Sequence, residues 1–259
     1  MPEKNNVVLL GGEHDTTWFV YNALKDHFSI EKVIVESGGG SRWKFIQRRI
    51  KRLGYWVVAG QILFVVLCSK WLGKEVSQRI EAIKQKMNLD DRKEESSRIV
   101  NVKSVNTEVC REALKEASPR VVIVNGTGII GKKTLQCTDA IFINTHVGIT
   151  PEYRGVHGGY WALASDDSEN CGVTVHLVDT GIDTGSILYQ ATIDPEKTDN
   201  FKSYIYLQYG TAMPLLKKAV QDALDGTLSP FKKEGANSKL WYHPTLWFYL
   251  RHRWFRGIR

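Results

Sequence analysis

Apolar residues in this chain come in short continuous runs, and most runs close on glycine or a small polar residue. Val7 to Leu10 is such a run, ended by Gly11-Gly12. Thr16 to Phe28 follows with Phe19, Val20, Ala23 and Leu24 at the spacing of one helix face. Lys32 to Glu36, centred on Val33, Ile34 and Val35, predicts a second buried strand that closes at Gly38-Gly39-Gly40. Strands covered on both faces need no alternation of apolar and polar residues, so this opening reads as a βαβ unit of a parallel sheet. Further on, Thr107 to Ala117 predicts a helix stopped by Pro119, Val121 to Val124 a strand, Lys133 to Gln136 a helical turn and Ala140 to Ile143 a strand. Val173 to Val178 and Ile187 to Ile193 predict two more strands. Phe201 to Asp225 predicts a long amphipathic helix with Gly226 as its stop. Together these elements predict an α/β fold, a Rossmann-like, mostly parallel sheet with helices on both faces.

The alternation is broken from Ser41 to Ser97. That segment opens with basic residues, passes through 16 uncharged residues from Leu53 to Cys68 and ends in a charged helical stretch from Glu75 to Lys86. A membrane span needs roughly 20 apolar residues, and Gly54, Gly60 and Gln61 weaken this one further, so a span is disfavoured. An interfacial helix and a buried helical insertion remain, and the buried insertion is preferred. The expected organisation is a body over residues 1–226 with residues 41–97 inserted after the second strand, then a basic, aromatic tail over residues 227–259.

Charge sharpens this division. The chain carries a formal +7. Arg42 to Arg52 accounts for +6 and Lys239 to Arg259 for +5, neither with an acid, which leaves the rest of the chain at −4. The basicity therefore belongs to two accessory pieces rather than to the body. Cys68, Cys110, Cys137 and Cys171 lie 42, 27 and 34 residues apart, a spacing that offers neither a metal pair nor a compact disulfide framework. A reducing, cytoplasmic home is expected, and the apolar run after Met1 is too short for a signal peptide.

The candidate chemistry lies between Ala140 and Leu188. Asn144 and His146 sit two apart at the carboxyl end of a predicted strand, so their side chains point the same way above the sheet edge where ligands of open α/β folds bind. An amide N–H and an imidazolium are suitable donors for a developing oxyanion, each worth on the order of 3 kcal/mol when preorganised. Asp183, in the glycine-flanked turn V-D-T-G-I-D-T-G, supplies a carboxylate that would hold such an imidazolium charged and help remove a proton. Singly, each has a plain structural reading: a strand-end histidine satisfied by its neighbours, a turn aspartate placed for backbone reasons. Their joint placement favours acyl transfer.

The stretches N-T-H-V-G-I-T-P-E-Y-R-G and G-V-T-V-H-L-V-D-T-G-I-D-T-G-S-I-L resemble the formyltetrahydrofolate-dependent formyltransferase family, which includes sugar N-formyltransferases and the glycinamide ribonucleotide and methionyl-tRNA enzymes. The resemblance is clear over Val121 to Gln190 and is absent from the insertion and the tail. It implies that Asn144 and His146 stabilise the tetrahedral intermediate and that Asp183 partners His146. It also implies that formyltetrahydrofolate is held by Asn125, Gly126, Thr127, Gly128, Ile129 and Ile130 with Val178, Asp179, Thr180, Gly181 and Ile182. No metal is implied. One departure is local: many relatives carry Pro-Ser-Leu-Leu-Pro after the histidine, where this chain has Val147-Gly148-Ile149-Thr150-Pro151.

Several neighbours carry two readings. Tyr153-Arg154-Gly155 could place a cation near a substrate phosphate, or Arg154 could pin its loop. Gly11-Gly12 could let a substrate phosphate approach a helix start. His157 suits a helix start, and His176 suits a structural role beneath the site. Only 66 residues follow Ile193, which argues against the second domain of transfer-RNA formyltransferases. An amino-sugar acceptor, nucleotide-linked or lipid-linked, is favoured. The lipid-linked form gives a purpose to basic residues interleaved with Trp43, Trp56, Trp71, Trp241, Trp247 and Trp254 as peripheral membrane anchors, while packing or a homodimer contact explains the same tryptophans. Rival functions are a formyltetrahydrofolate hydrolase using the same trio on water, a formyltransferase acting on another small amine, and a non-enzymatic module for anionic membranes. The basic residues form no nucleic-acid recognition motif, so no nucleic-acid partner is expected.

Overall fold

A computed structural model describes residues 6–38 and 42–259, with the side chains of Arg42, Lys44, Phe45, Ser69 and Lys70 left out. The expectations for Met1 to Asn5, Gly39 and Gly40 and the basic side chains of Arg42 and Lys44 lie outside the described residues.

β1 (Val7–Gly12) leads through α1 (Asp15–Leu24) to β2 (Ile30–Glu36). The insertion then forms α2 (Arg42–Leu53), α3 (Tyr55–Leu63), a π-helical turn at Phe64–Cys68, α4 (Ser69–Glu75) and α5 (Ser77–Lys86) before β3 (Ile99–Val102). α6 (Glu108–Ala117), β4 (Val121–Asn125), α7 (Lys132–Leu135) and β5 (Ile141–His146) resume the alternation. β6 (Arg154–Gly155), α8 (Gly158–Ala164), β7 (Gly172–Leu177), β8 (Ile187–Thr192) and α9 (Tyr204–Asp225) follow, and the tail adds β9 (Leu240–Trp241) and α10 (Leu246–Arg256).

The main sheet runs β3-β2-β1-β4-β5-β7-β8. Its first five strands are parallel, and β7 and β8 are antiparallel. Alternate residues of the apolar runs feed two cores, which is why the runs lack polar positions. Val7, Leu9, Val121 and Ile123 pack under α1 and α9, whereas Val8, Leu10, Val122 and Val124 pack under α6. Gly226, at φ +70, ends α9 in the left-handed conformation that a glycine adopts without a Cβ clash.

β3 is an edge strand that the apolar pattern did not reveal, because Ile99-Val100-Asn101-Val102 buries only its last residue fully. It places the insertion inside a βαβ crossover, between β2 and β3. A third core joins insertion, tail and body: Phe64, Cys68 and Leu72 from the insertion pack with Tyr160, Phe201 and Tyr249. Polar contacts reinforce it, since Arg79 makes a two-point ion pair with the fully buried Asp199 carboxylate. Asn200 Nδ2 donates to the Leu72 carbonyl. The tail is thus built into the body, with Tyr249 of α10 wholly inaccessible.

Candidate active site

The parallel half of the sheet meets the antiparallel half at β5, and the pairing there decides the site. β4 runs parallel to it on one side, and β7 lies antiparallel on the other, with Asn144 opposite His176 and His146 opposite Thr174. Asn144 Nδ2 lies 3.1 Å from His176 Nε2. The Asp183 carboxylate, at the tip of the loop between β7 and β8, completes the group, with Oδ2 3.4 Å from His146 Nδ1 and Oδ1 3.6 Å from His176 Nε2. The predicted trio is therefore assembled, and His176 is a fourth member. The period-two pattern of β7 places His176 on the face of Thr174, but which β5 residue it meets is a matter of inter-strand register.

Asp183 holds this position with φ +50 and accepts a 2.9 Å hydrogen bond from the Gly155 N–H. Burial by itself would raise its carboxyl pKa. The facing His146 imidazole and the Gly155 N–H outweigh burial and hold it well below the usual carboxylate range. His146 is likewise fixed from both sides, because its Nε2–H donates to the Tyr153 carbonyl at 2.7 Å. His176 Nδ1 donates to the Leu177 carbonyl, 2.7 Å away, so its Nε2 is the acceptor for the Asn144 amide. That bond fixes the amide orientation and commits one of its two N–H groups.

Tyr153, Arg154 and Gly155 act as braces in the structure. Tyr153 supplies its carbonyl to His146, Arg154 Nη1 donates to the Ile182 carbonyl at 3.1 Å, and Gly155 holds Asp183. The Tyr153 hydroxyl points away, to Asp167. This segment is itself held by the tail, since β6 pairs with β9, Arg154 N donates to Lys239 O, and Tyr153 stacks on Trp241. The divergent loop after His146 is clamped from β7: the Thr174 hydroxyl donates to Gly148 O and accepts from Thr150 N.

A cleft of about 560 Å³ opens beside these groups. Gly126, Thr127, Gly128, Ile129 and Ile130 line it with Val178, Asp179, Gly181 and Ile182, while Asn125 and Thr180 do not. Asn125 lies buried beneath, where its Oδ1 accepts from the Tyr209 hydroxyl at 2.7 Å. Glu36 accepts from Gly128 N, and Asn106 accepts from Gly131 N, so the loop after β4 is tied down at both ends. Gly11 and Gly12 stay out of the cleft. Their small size serves packing, since a Cβ on Gly12 would lie 2.4 Å from the Gly126 carbonyl oxygen. Apolar side chains with fixed backbone donors and acceptors at the edge suit a flat heteroaromatic ring.

The opposite wall comes from the pieces that looked accessory: Arg49 of α2, and Trp241, Tyr242 and His243 of the tail. Arg49 stacks over the Tyr242 ring at 4.8 Å, and burial lowers its guanidinium pKa. His243 Nδ1 is 3.0 Å from His157 Nε2. His157 does start α8, with φ +59. Among the described residues no cluster could hold a metal ion.

Residues 32–205, 174 of the 259, match the model of the family described as Formyl transferase. The methionyl-tRNA formyltransferase of Caldanaerobacter subterraneus subsp. tengcongensis is 30% identical over 130 residues, half of this chain but only 41% of that protein. Among solved structures, a sugar N-formyltransferase from Shewanella sp FDAARGOS_354 superposes with TM-score 0.56 at 15% identity, over 90% of this chain and 76% of that one. An N-formyltransferase from Helicobacter canadensis, in complex with folinic acid and dTDP-3-aminofucose, gives TM-score 0.50 at 18% identity, over 90% and 70%.

Proposed function

Because this chain belongs to the formyl transferase family, we propose that it moves a formyl group from formyltetrahydrofolate to the primary amine of an amino-sugar carried on a phosphate or diphosphate, nucleotide-linked or lipid-linked. The observation that carries this is the convergence of Asn144, His146, His176 and Asp183 beside a cleft with one wall of backbone and apolar side chains. The loops at Gly126 to Ile130 and Val178 to Ile182 would hold the flat pterin of the donor.

The amine nitrogen attacks the formyl carbon and its electron pair forms the new C–N bond. The carbonyl oxygen gains negative charge against the second N–H of Asn144 and the Nδ1–H of a protonated His146. Nδ1 is the donor left for this role, because Nε2–H is committed to the Tyr153 carbonyl. At 3.4 Å the Asp183 carboxylate faces Nδ1 from beyond tight hydrogen-bond distance, so a proton carried on Nδ1 is left free to point at the oxyanion. The bond to the donor nitrogen then breaks, that nitrogen takes up a proton, and the acceptor amine gives one up toward the carboxylate. Asn144 and His146 act only when oxyanion charge develops, which is how binding becomes rate.

The acceptor side is assigned to Arg49, Tyr242 and His243, where a guanidinium on an aromatic shelf suits a phosphate group. Purified protein is incubated with formyltetrahydrofolate and a panel of nucleotide-linked 3-amino- and 4-amino-sugars, and tetrahydrofolate release is followed. Release that requires an amine, and is abolished by His146→Ala, is expected. Release of free formate at the same rate with and without every amine would make the protein a hydrolase and overturn the reading.

A further inference from the structure

The outer surface of the insertion is apolar where a water-facing helix is normally polar. Val58, Gln61, Phe64, Cys68 and Leu72 turn inward, and the outward positions from Tyr55 to Leu67 bear no charge at all. Trp56 is 83% exposed, and Ile62, Leu63, Val66, Leu67 and Trp71 are exposed beside it. α10 runs alongside, with Trp247 against Gly60 and Arg253 over the Trp71 ring at 4.6 Å. Its own exposed residues include Trp247, Trp254 and Phe255. Thirteen helical residues make an apolar strip about 20 Å long, and no helix among the described residues is long and apolar enough to cross a membrane.

Charge identifies what covers the strip. No Asp or Glu occurs between Glu36 and Glu75 or after Glu234, and Arg48, Lys51 and Arg52 are exposed on the helix that joins the strip at Gly54. Two copies of this face would bring like charges together, and a nucleic acid offers no apolar interior for Leu63, Val66 and Leu67. A bilayer with anionic headgroups offers both, with an apolar layer for the strip and negative charge for its rim. We infer that the insertion and α10 form an interfacial platform that docks the protein on an anionic membrane surface. α2 carries Arg49 into the cleft, so the docked face and the acceptor wall share one helix. Docking is independent of which amine is formylated.

The test uses the full chain in flotation with vesicles of phosphatidylglycerol and phosphatidylcholine, against phosphatidylcholine alone. Binding at least tenfold stronger to the anionic vesicles is expected, and it should weaken in 0.5 M salt. Val66→Asp with Leu67→Asp should cut it at least tenfold. Arg48→Glu with Lys51→Glu should cut the anionic preference by a similar factor, and both pairs should keep the wild-type Tm because all four side chains face outward. Absence of wild-type binding, or binding unchanged in the aspartate pair, would overturn the inference. So would a concentration-dependent dimer in sedimentation that the aspartate pair dissociates while vesicles bind nothing, since the strip would then belong to a second copy. Vesicle binding is read without turnover, so its failure and a failure of the formyl-transfer reading are separate results.

Discussion

Replacing Asp183 by Asn tests the electrostatic core of the site with almost no change of shape. The amide oxygen can still accept from the Gly155 N–H, but the negative charge facing His146 Nδ1 at 3.4 Å and His176 Nε2 at 3.6 Å is gone. A unit charge pair at this separation is worth roughly 5 kcal/mol at an effective dielectric of 20, an upper bound because the carboxylate keeps some solvent contact. Only the part that grows as the oxyanion forms affects kcat, and one preorganised donor is typically worth about 3–4 kcal/mol, or 10²–10³ in rate. Asp183→Asn should therefore lower kcat by about 10²–10³, with both KM values within about threefold of wild type, in steady-state release of tetrahydrofolate. Stability supplies a second readout. The folded pKa of Asp183 is depressed, so its carboxylate contributes stability that is fully present above the ordinary value of about 3.9 and is lost as pH falls through the folded value. Wild-type and variant unfolding curves should accordingly converge only in acid. A variant that retains a fifth or more of wild-type kcat would refute the proposed role of the carboxylate.

Three further outcomes follow from the same geometry. Burial depresses the pKa of both His157 and His243, the latter to about 4 with help from Arg49 and Lys202. The unfolded chain then binds protons that the fold refuses, so stability is complete above about pH 6.5 and falls toward pH 4. A pH series of Tm should show this, and His243→Gln should flatten it. A Cβ on Gly148 would lie 2.5 Å from the Tyr153 carbonyl oxygen and 2.8 Å from His146 Nε2. Gly148→Ala should thus cost about 1–3 kcal/mol in denaturant unfolding and reduce kcat, whereas Gly73→Ala, in α4 with open space around it, should be neutral or stabilising. Ending the chain at Asn237 removes β9, Trp241, which stacks on Trp161 at 4.5 Å, and the buried Tyr249. Aggregation or strong binding of an apolar dye is expected, and a soluble, cooperatively unfolding product would show the tail to be a separable appendage.

How much was legible in the chain depended on the range of the forces involved. The strands at Val7, Val33, Val121 and Ala140 could be read because burial on both faces leaves a contiguous apolar run. The end of α9 could be read because Gly226 alone suits the left-handed stop. The placing of Asn144 and His146 at a strand's carboxyl end followed from a period of two. β3 escaped because an edge strand of four residues, two of them half-buried and one exposed, leaves too little apolar signal.

The tertiary structure alone decided the rest. His176 joins the site because of the register between β5 and β7, which sets it against Asn144 across 32 positions of chain. Tyr153 to Gly155 became braces because β9, arriving from the far end, pairs with them. Arg49, Tyr242 and His243 became one wall because a helical insertion and a tail with no similarity to each other share a core around Phe64, Tyr160 and Tyr249. Local sequence sets which faces are apolar and where the backbone can turn, since those depend on a residue and its near neighbours. Which face meets which is set by shape and burial summed over segments far apart in the chain, and no short stretch of sequence contains that sum.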